Sequence, residues 1–206
     1  MRQIFKSLAT RLLYVALIAY PFAEHFRLIE SSVIPLIFVI LIFAMAVMIR
    51  QRMAALILAL MLIASFILIQ QGSSQDVYFL PPIAINYFIG MIFLKSLMKN
   101  STPLIERYML LLEGEVDAKE RKYARWFTTL WAFVLLSLAV ETAVLAMFAS
   151  HEIWSLFTNF INYLILGLMF LFEYLVRLRM FPQKQHKSFI QFINSLRKIK
   201  LKAVVM

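Results

Sequence analysis

The sequence predicts an all-α, polytopic membrane protein with six transmembrane helices and both termini in the cytoplasm. Three observations carry that expectation. Residues of the set AVILMFWYC make up 63% of the chain and charged residues only 16%, against roughly 45–50% and 25% in soluble domains. The apolar residues gather in stretches long enough to cross about 30 Å of hydrocarbon, which takes roughly 20 residues in a helix. Finally, all but one of the 21 Lys and Arg fall on one side of those stretches, in alternate flanking segments or, for Lys95, at the adjoining end of a stretch, as the positive-inside rule requires of cytoplasmic segments.

The first expected span, 12–26, is short and carries Pro21. It crosses if the helix begins near Ile4, and the small-residue cleavage site of a signal peptide is missing after it. Spans over 32–49, 53–69 and 77–97 follow. A cytoplasmic loop, 98–126, then separates them from spans over 128–149 and 153–176. The tail, 177–206, completes the chain beyond a transmembrane unit of 1–176. Arg27 is the one base placed outside; the segments 70–76 and 150–152 hold none, while 98–126 and the tail are rich in them.

Within the loop, Thr102 followed by Pro103 reads as a helix start, a hydroxyl cap before Pro at the first helical position. Gly114 reads as its stop. Asp117 with Glu120 three residues on forms a capping box that opens a helix running into the fifth span. Leu104, Ile105, Tyr108, Met109, Leu111 and Leu112 make the first loop helix too apolar to stand in water, so it lies in the membrane interface or on the bundle. In the tail, Phe189, Ile193 and Leu196 recur at helical spacing opposite Lys187, Arg197, Lys198 and Lys202, a basic amphipathic helix suited to surface attachment.

Composition excludes several chemistries. With no Cys there are no disulfides, thiolate metal sites or thiol nucleophiles, and His25, His151 and His186 are too scattered for a metal site. No cofactor and no metal are therefore expected. No Gly-x-Ser-x-Gly, His-Glu-x-x-His, P-loop or dinucleotide glycine pattern is present, so no catalytic residue is assigned. The net charge of +10 belongs to one face and suits anionic headgroups, at about 1 kcal/mol per base near the surface. Nucleic acid is not an expected partner, because no recognition motif accompanies the charge.

Polar residues inside spans are costly and so are candidate sites. Glu141 lies roughly 12 Å below the outer end of the fifth span, at about 1.5 Å per residue. Asn86 in the fourth span and Asn159 and Asn162 in the sixth fall at similar depth, roughly 9–14 Å on the same rise. Three helices can therefore share a polar pocket in the outer half of the bilayer, with Thr142, Thr158 and Tyr163 close by in sequence. The blander reading is that the Asn residues are interhelical glue, worth about 0.6 kcal/mol each. A buried Glu is harder to dismiss, since it must be protonated or hydrogen-bonded. Glu24 and His25 sit at the outer end of the first span. Glu173 and Arg177 are four apart, in the order that favours a structural ion pair. Arg107, Arg121, Lys122 and Arg125, with Glu106, form a mixed-charge cluster on the cytoplasmic side.

Short motifs across 80–182 add a resemblance. Leu80-Pro81-Pro82 is followed by Asn86, then by Thr102-Pro103-Leu104-Ile105-Glu106-Arg107. Tyr123-Ala124-Arg125 leads to Trp131, and Phe172-Glu173-Tyr174-Leu175-Val176-Arg177 precedes Phe181-Pro182. These residues resemble a family of small bacterial inner-membrane proteins encoded beside aryl-polyene (xanthomonadin-type) pigment biosynthesis genes, which look like a fatty-acid synthase system. The resemblance implies a pathway rather than a reaction. It implies acyl carrier protein and cytoplasmic biosynthetic enzymes as partners near this membrane.

The leading expectation is an inner-membrane accessory protein of aryl-polyene lipid assembly that docks those enzymes through Arg107, Arg121, Lys122 and Arg125. The alternative is a small lipid transporter or flippase built on Glu141, Asn86, Asn159 and Asn162. A membrane-embedded transferase is the third.

Overall fold

A computed structural model describes residues 33–48, 50–71 and 74–182. The expected span 12–26, Glu24 and His25, and the amphipathic part of the tail lie outside the described residues. What is described is helical, without a strand. Helix α1 spans Val33–Met48 and α2 spans Arg52–Gln70. A 3-10 segment, Ser74–Phe79, leads into α3, Leu80–Ser96. Then come α4, Leu104–Glu113, and α5, Ala118–Phe148. Helix α6, His151–Leu156, continues through a π-helical turn, Phe157–Ile161, into α7, Asn162–Met180.

Four of these stretches are long and apolar enough to cross a membrane: Arg52–Gln70, Val77–Ser96, Ala118–Phe148 and His151–Met180. They mark a membrane protein. Helix α1 is apolar along its described length and falls within the expected span 32–49. The expected spans 53–69 and 77–97 match the observed ends within a residue. The last two run longer than 128–149 and 153–176, because the flanking polar turns stay helical. At 31 residues, α5 is about 46 Å long at 1.5 Å per residue, so one end must project beyond the hydrocarbon.

Local chemistry sets the ends. Pro81 and Pro82 occupy the first turn of α3, where their missing N–H groups cost nothing. Gly114 closes α4 at φ 83° and donates its N–H to the Leu110 carbonyl. The capping box of α5 forms in full: the Glu120 N–H reaches Asp117 Oδ1 at 2.7 Å, and the Asp117 N–H reaches Glu120 Oε2 at 2.9 Å. Ser150 caps α6, accepting from the Ile153 N–H at 3.4 Å.

The start of α4 differs from expectation. Pro103 precedes the helix, and its first N–H groups are taken by hydroxyls from other helices rather than by Thr102. The Leu104 N–H donates to Ser96 Oγ at 3.0 Å and the Ile105 N–H to Thr128 Oγ1 at 3.3 Å. The reason is that α4 lies against the bundle, with Leu104, Ile105 and Met109 buried, so α3 and α5 bring their own caps to it. The Thr102 carbonyl instead accepts from Arg107 Nε at 2.9 Å.

Among the described residues, two apolar cores hold the bundle. Val39, Ala46, Ala54, Leu58, Ala84 and Phe88 pack α1, α2 and α3 together. Met109, Tyr123, Phe127, Trp131, Leu135 and Phe181 pack α4, α5 and the end of α7. The outward faces are apolar as well: Phe133, Val140, Met147, Leu164 and Leu168 are all exposed. Such a surface suits lipid, and would be an aggregation hazard in water.

Candidate functional site

The connection between α5 and α6 is two residues, Ala149 and Ser150, so these helices return antiparallel and face each other from the turn onward. Along the second strand of this hairpin, Trp154, Ser155, Thr158, Asn159 and Asn162 are all buried. They recur at three- and four-residue spacing, which places them on one inward face. The π turn falls in their midst and widens the helix there; such turns are found frequently at functional sites.

At the inner end of this face three side chains converge. Asn162 Nδ2 donates to Glu141 Oε2 at 3.0 Å and lies 3.3 Å from Thr142 Oγ1, and the Thr142 hydroxyl donates to the same Oε2 at 3.3 Å. One turn nearer the hairpin, Asn159 Nδ2 donates to Ser155 Oγ at 3.0 Å. Four buried polar atoms on this face have no hydrogen-bond partner: Glu141 Oε1, Asn162 Oδ1, Thr158 Oγ1 and Trp154 Nε1. The Trp154 ring packs edge-on against Phe79, with centroids 4.7 Å apart. Trp154 thus packs at the hairpin end of the face.

The structure therefore brings Glu141, Thr142 and Asn162 together, with Asn159 and Thr158 along the same face. Asn86 is buried on α3 but takes no part in these hydrogen bonds. Tyr163 turns outward, about half exposed, because it falls one residue past the inward face. Ser155 and Trp154 were missed by the sequence reading, although their spacing from Asn159 and Asn162 carries the signal.

The charged end of the bundle is partly self-satisfied. Arg121 pairs with Glu106 at 3.6 Å while its side chain stays 64% exposed, and Arg107 is tied to the Thr102 carbonyl. Lys122 and Arg125 are exposed. Lys119 Nζ donates to the Met180 carbonyl at 3.0 Å and stands over the Phe181 ring, closing the end of α7 against the start of α5. Glu173 is engaged across helices: its Oε2 accepts from Trp131 Nε1 at 2.6 Å, and its carbonyl accepts from the Tyr123 hydroxyl at 3.1 Å. The Arg177 charge acts on the same carboxylate. No group of three or more His, Asp or Glu able to hold a metal ion occurs among the described residues.

The polar face thus offers unpartnered acceptors and donors in an apolar setting. No family model, no curated protein and no solved structure matches the chain.

Proposed function

We propose that this chain is a bacterial inner-membrane protein that serves aryl-polyene lipid assembly by receiving the polar end of a lipid-linked intermediate at the Glu141–Asn162 cluster. The observation that carries this reading is the pair of buried, partnerless acceptors, Glu141 Oε1 and Asn162 Oδ1, in a helix hairpin otherwise built of apolar residues. Buried polar groups are nearly always hydrogen-bonded, and polar groups at membrane depth mark substrate paths. A hydroxyl or other donor on a headgroup would complete both acceptors while its chain lies along the apolar flank of α5 and α7. The pathway itself comes from the motifs across 80–182. In this reading the 98–126 side faces the cytoplasm and the cluster lies in the outer half of the bilayer.

The test is pigment-lipid output in cells carrying Glu141→Leu or Asn162→Leu, with membrane levels of each variant checked. Output should collapse while the protein stays in the membrane. Full output from both variants would refute a role for the cluster.

Docking of acyl carrier protein is a second reading, favoured by the exposure of Lys122 and Arg125 beside Arg121. Purified carrier protein should then bind at low salt and release as salt rises, since exposed charges are screened beyond about 8 Å at physiological ionic strength. Reversing Arg121, Lys122 and Arg125 to Glu should abolish binding; unchanged binding would dispose of this reading.

A further inference from the structure

We propose that the seam between α5 and α7, at the basic end of the bundle, holds an anionic phospholipid, with its phosphate between Lys122 and Arg179 and an acyl chain against Trp126 and Phe172. This goes beyond the preceding reading, since it uses neither Glu141 nor the pathway. It needs only a chain that lies in a membrane, as the four long apolar helices indicate. Arg179 enters because folding brings the end of α7 beside the start of α5.

Contacts across the seam fix the register of the two helices. Lys119 Nζ donates to the Met180 carbonyl, the Tyr123 hydroxyl donates to the Glu173 carbonyl, and the Trp126 and Phe172 rings meet with centroids 6.4 Å apart. In that antiparallel register Lys122 stands within about one turn of Arg179 along the seam. On α5, Lys122 shares its face with Trp126, Phe133 and Val140; on α7, Arg179 shares its face with Leu168, Phe172 and Leu175. All of these residues are exposed. Because Trp126 and Phe172 meet across the seam, the two faces border the same side of it. One base therefore stands over each wall of a single apolar channel.

Depth and charge both fit that occupant. From Trp126 to Phe148, α5 covers about 34 Å at 1.5 Å per residue, close to the hydrocarbon thickness of about 30 Å. Trp126 and Phe172 then lie at the hydrocarbon edge, Trp126 at the level where such indole rings gather. Lys122 is about one turn beyond Trp126, and Arg179 about two turns beyond Phe172, which is headgroup level. Among the described residues neither base makes an ion pair, nor does Arg125 next to Trp126, whereas Arg121 is held by Glu106. Two uncompensated cations at that level attract a phosphate, and the Arg179 guanidinium can hold two of its oxygens at once. A lipid fits better than a soluble acidic protein because the bases sit above faces that border hydrocarbon. A protein would have to displace headgroups to reach them; a phospholipid arrives with its tails already along Phe133, Leu168 and Leu175.

Spin-labelled lipids in phosphatidylcholine bilayers that hold the full chain test this. Labelled phosphatidylglycerol should be retained at the protein surface over labelled phosphatidylcholine by roughly fivefold or more, the factor that one base near a membrane surface supplies. Lys122→Gln/Arg179→Gln should lose most of that preference. Arg52→Gln/Lys99→Gln removes two exposed bases elsewhere on the bundle and should keep most of it. Glutamine suits exposed helical positions, and circular dichroism checks that each variant is folded. No preference in the parent, or an equal loss in the two double variants, would overturn the proposal. So would acyl carrier protein that binds the parent in phosphatidylglycerol bilayers and is lost with Lys122→Gln/Arg179→Gln, since the seam would then be a protein dock.

Discussion

Gly90 on α3 is the point at which a single methyl group should be felt most. Among the described helices, α3 and α5 pack against one another more extensively than any other pair, and Gly90 lies in that seam. A Cβ placed there would stand 2.9 Å from both Cγ and Cδ2 of Leu136 and 3.3 Å from Cβ of Leu135. Carbon atoms rest at about 3.5–4.0 Å, so the methyl is short of room by roughly 0.6–1.1 Å against Leu136. Alanine in place of glycine gains up to about 1 kcal/mol of helix propensity. Overpacking a well-filled contact costs about 1–3 kcal/mol. The net expectation for Gly90→Ala is a loss of roughly 0–2 kcal/mol, and Gly90→Leu should exceed it. Because the crowding comes mainly from one side chain, Leu136→Ala should relieve it. In a double-mutant cycle the two changes should couple favourably, by about 1 kcal/mol within the usual range for residues in contact. Reversible unfolding in mixed micelles, followed by circular dichroism, measures all four corners. A Gly90→Ala protein that gains the full propensity term and shows no coupling to Leu136→Ala would refute the close approach.

Three other outcomes are expected. Glu173→Leu leaves the buried Trp131 N–H without its acceptor and should cost about 1–3 kcal/mol; Glu173→Gln, which keeps an oxygen, should cost less, and Trp131→Phe should remove most of the difference between them. Asp117→Ala removes the acceptor of the Glu120 N–H and should cost about 1 kcal/mol, read as a lower unfolding midpoint. Reporter fusions after residues 75 and 150 should report one side of the membrane and a fusion after 115 the other, with 115 cytoplasmic; a periplasmic reading at 115 would sink the charge argument.

Helix ends were legible where their determinants are local. The Asp117–Glu120 box and the Gly114 stop form as the sequence pattern suggests, because both partners lie within one turn. Thr102 misled for the opposite reason: once α4 docks, Ser96 and Thr128 reach its first N–H groups from eight and 23 residues away. The spans 53–69 and 77–97 were readable because lipid demands unbroken apolar length, which is a property of the chain alone.

The sequence by itself determined the class of protein, the apolar stretches and how far along its helix each of Glu141, Asn86, Asn159 and Asn162 sits, since that follows from residue count. Which of them meet was decided only by tertiary structure. Position along a helix leaves rotation about its axis free, and one residue changes facing by about 100°; the short Ala149–Ser150 turn and the π turn at Phe157–Ile161 set that rotation. Hence Asn162 rather than Asn86 bonds Glu141, Tyr163 faces outward, and Glu173 finds Trp131, 42 residues away. Such pairings depend on helix crossings that packing alone selects, and no local pattern in the chain encodes them.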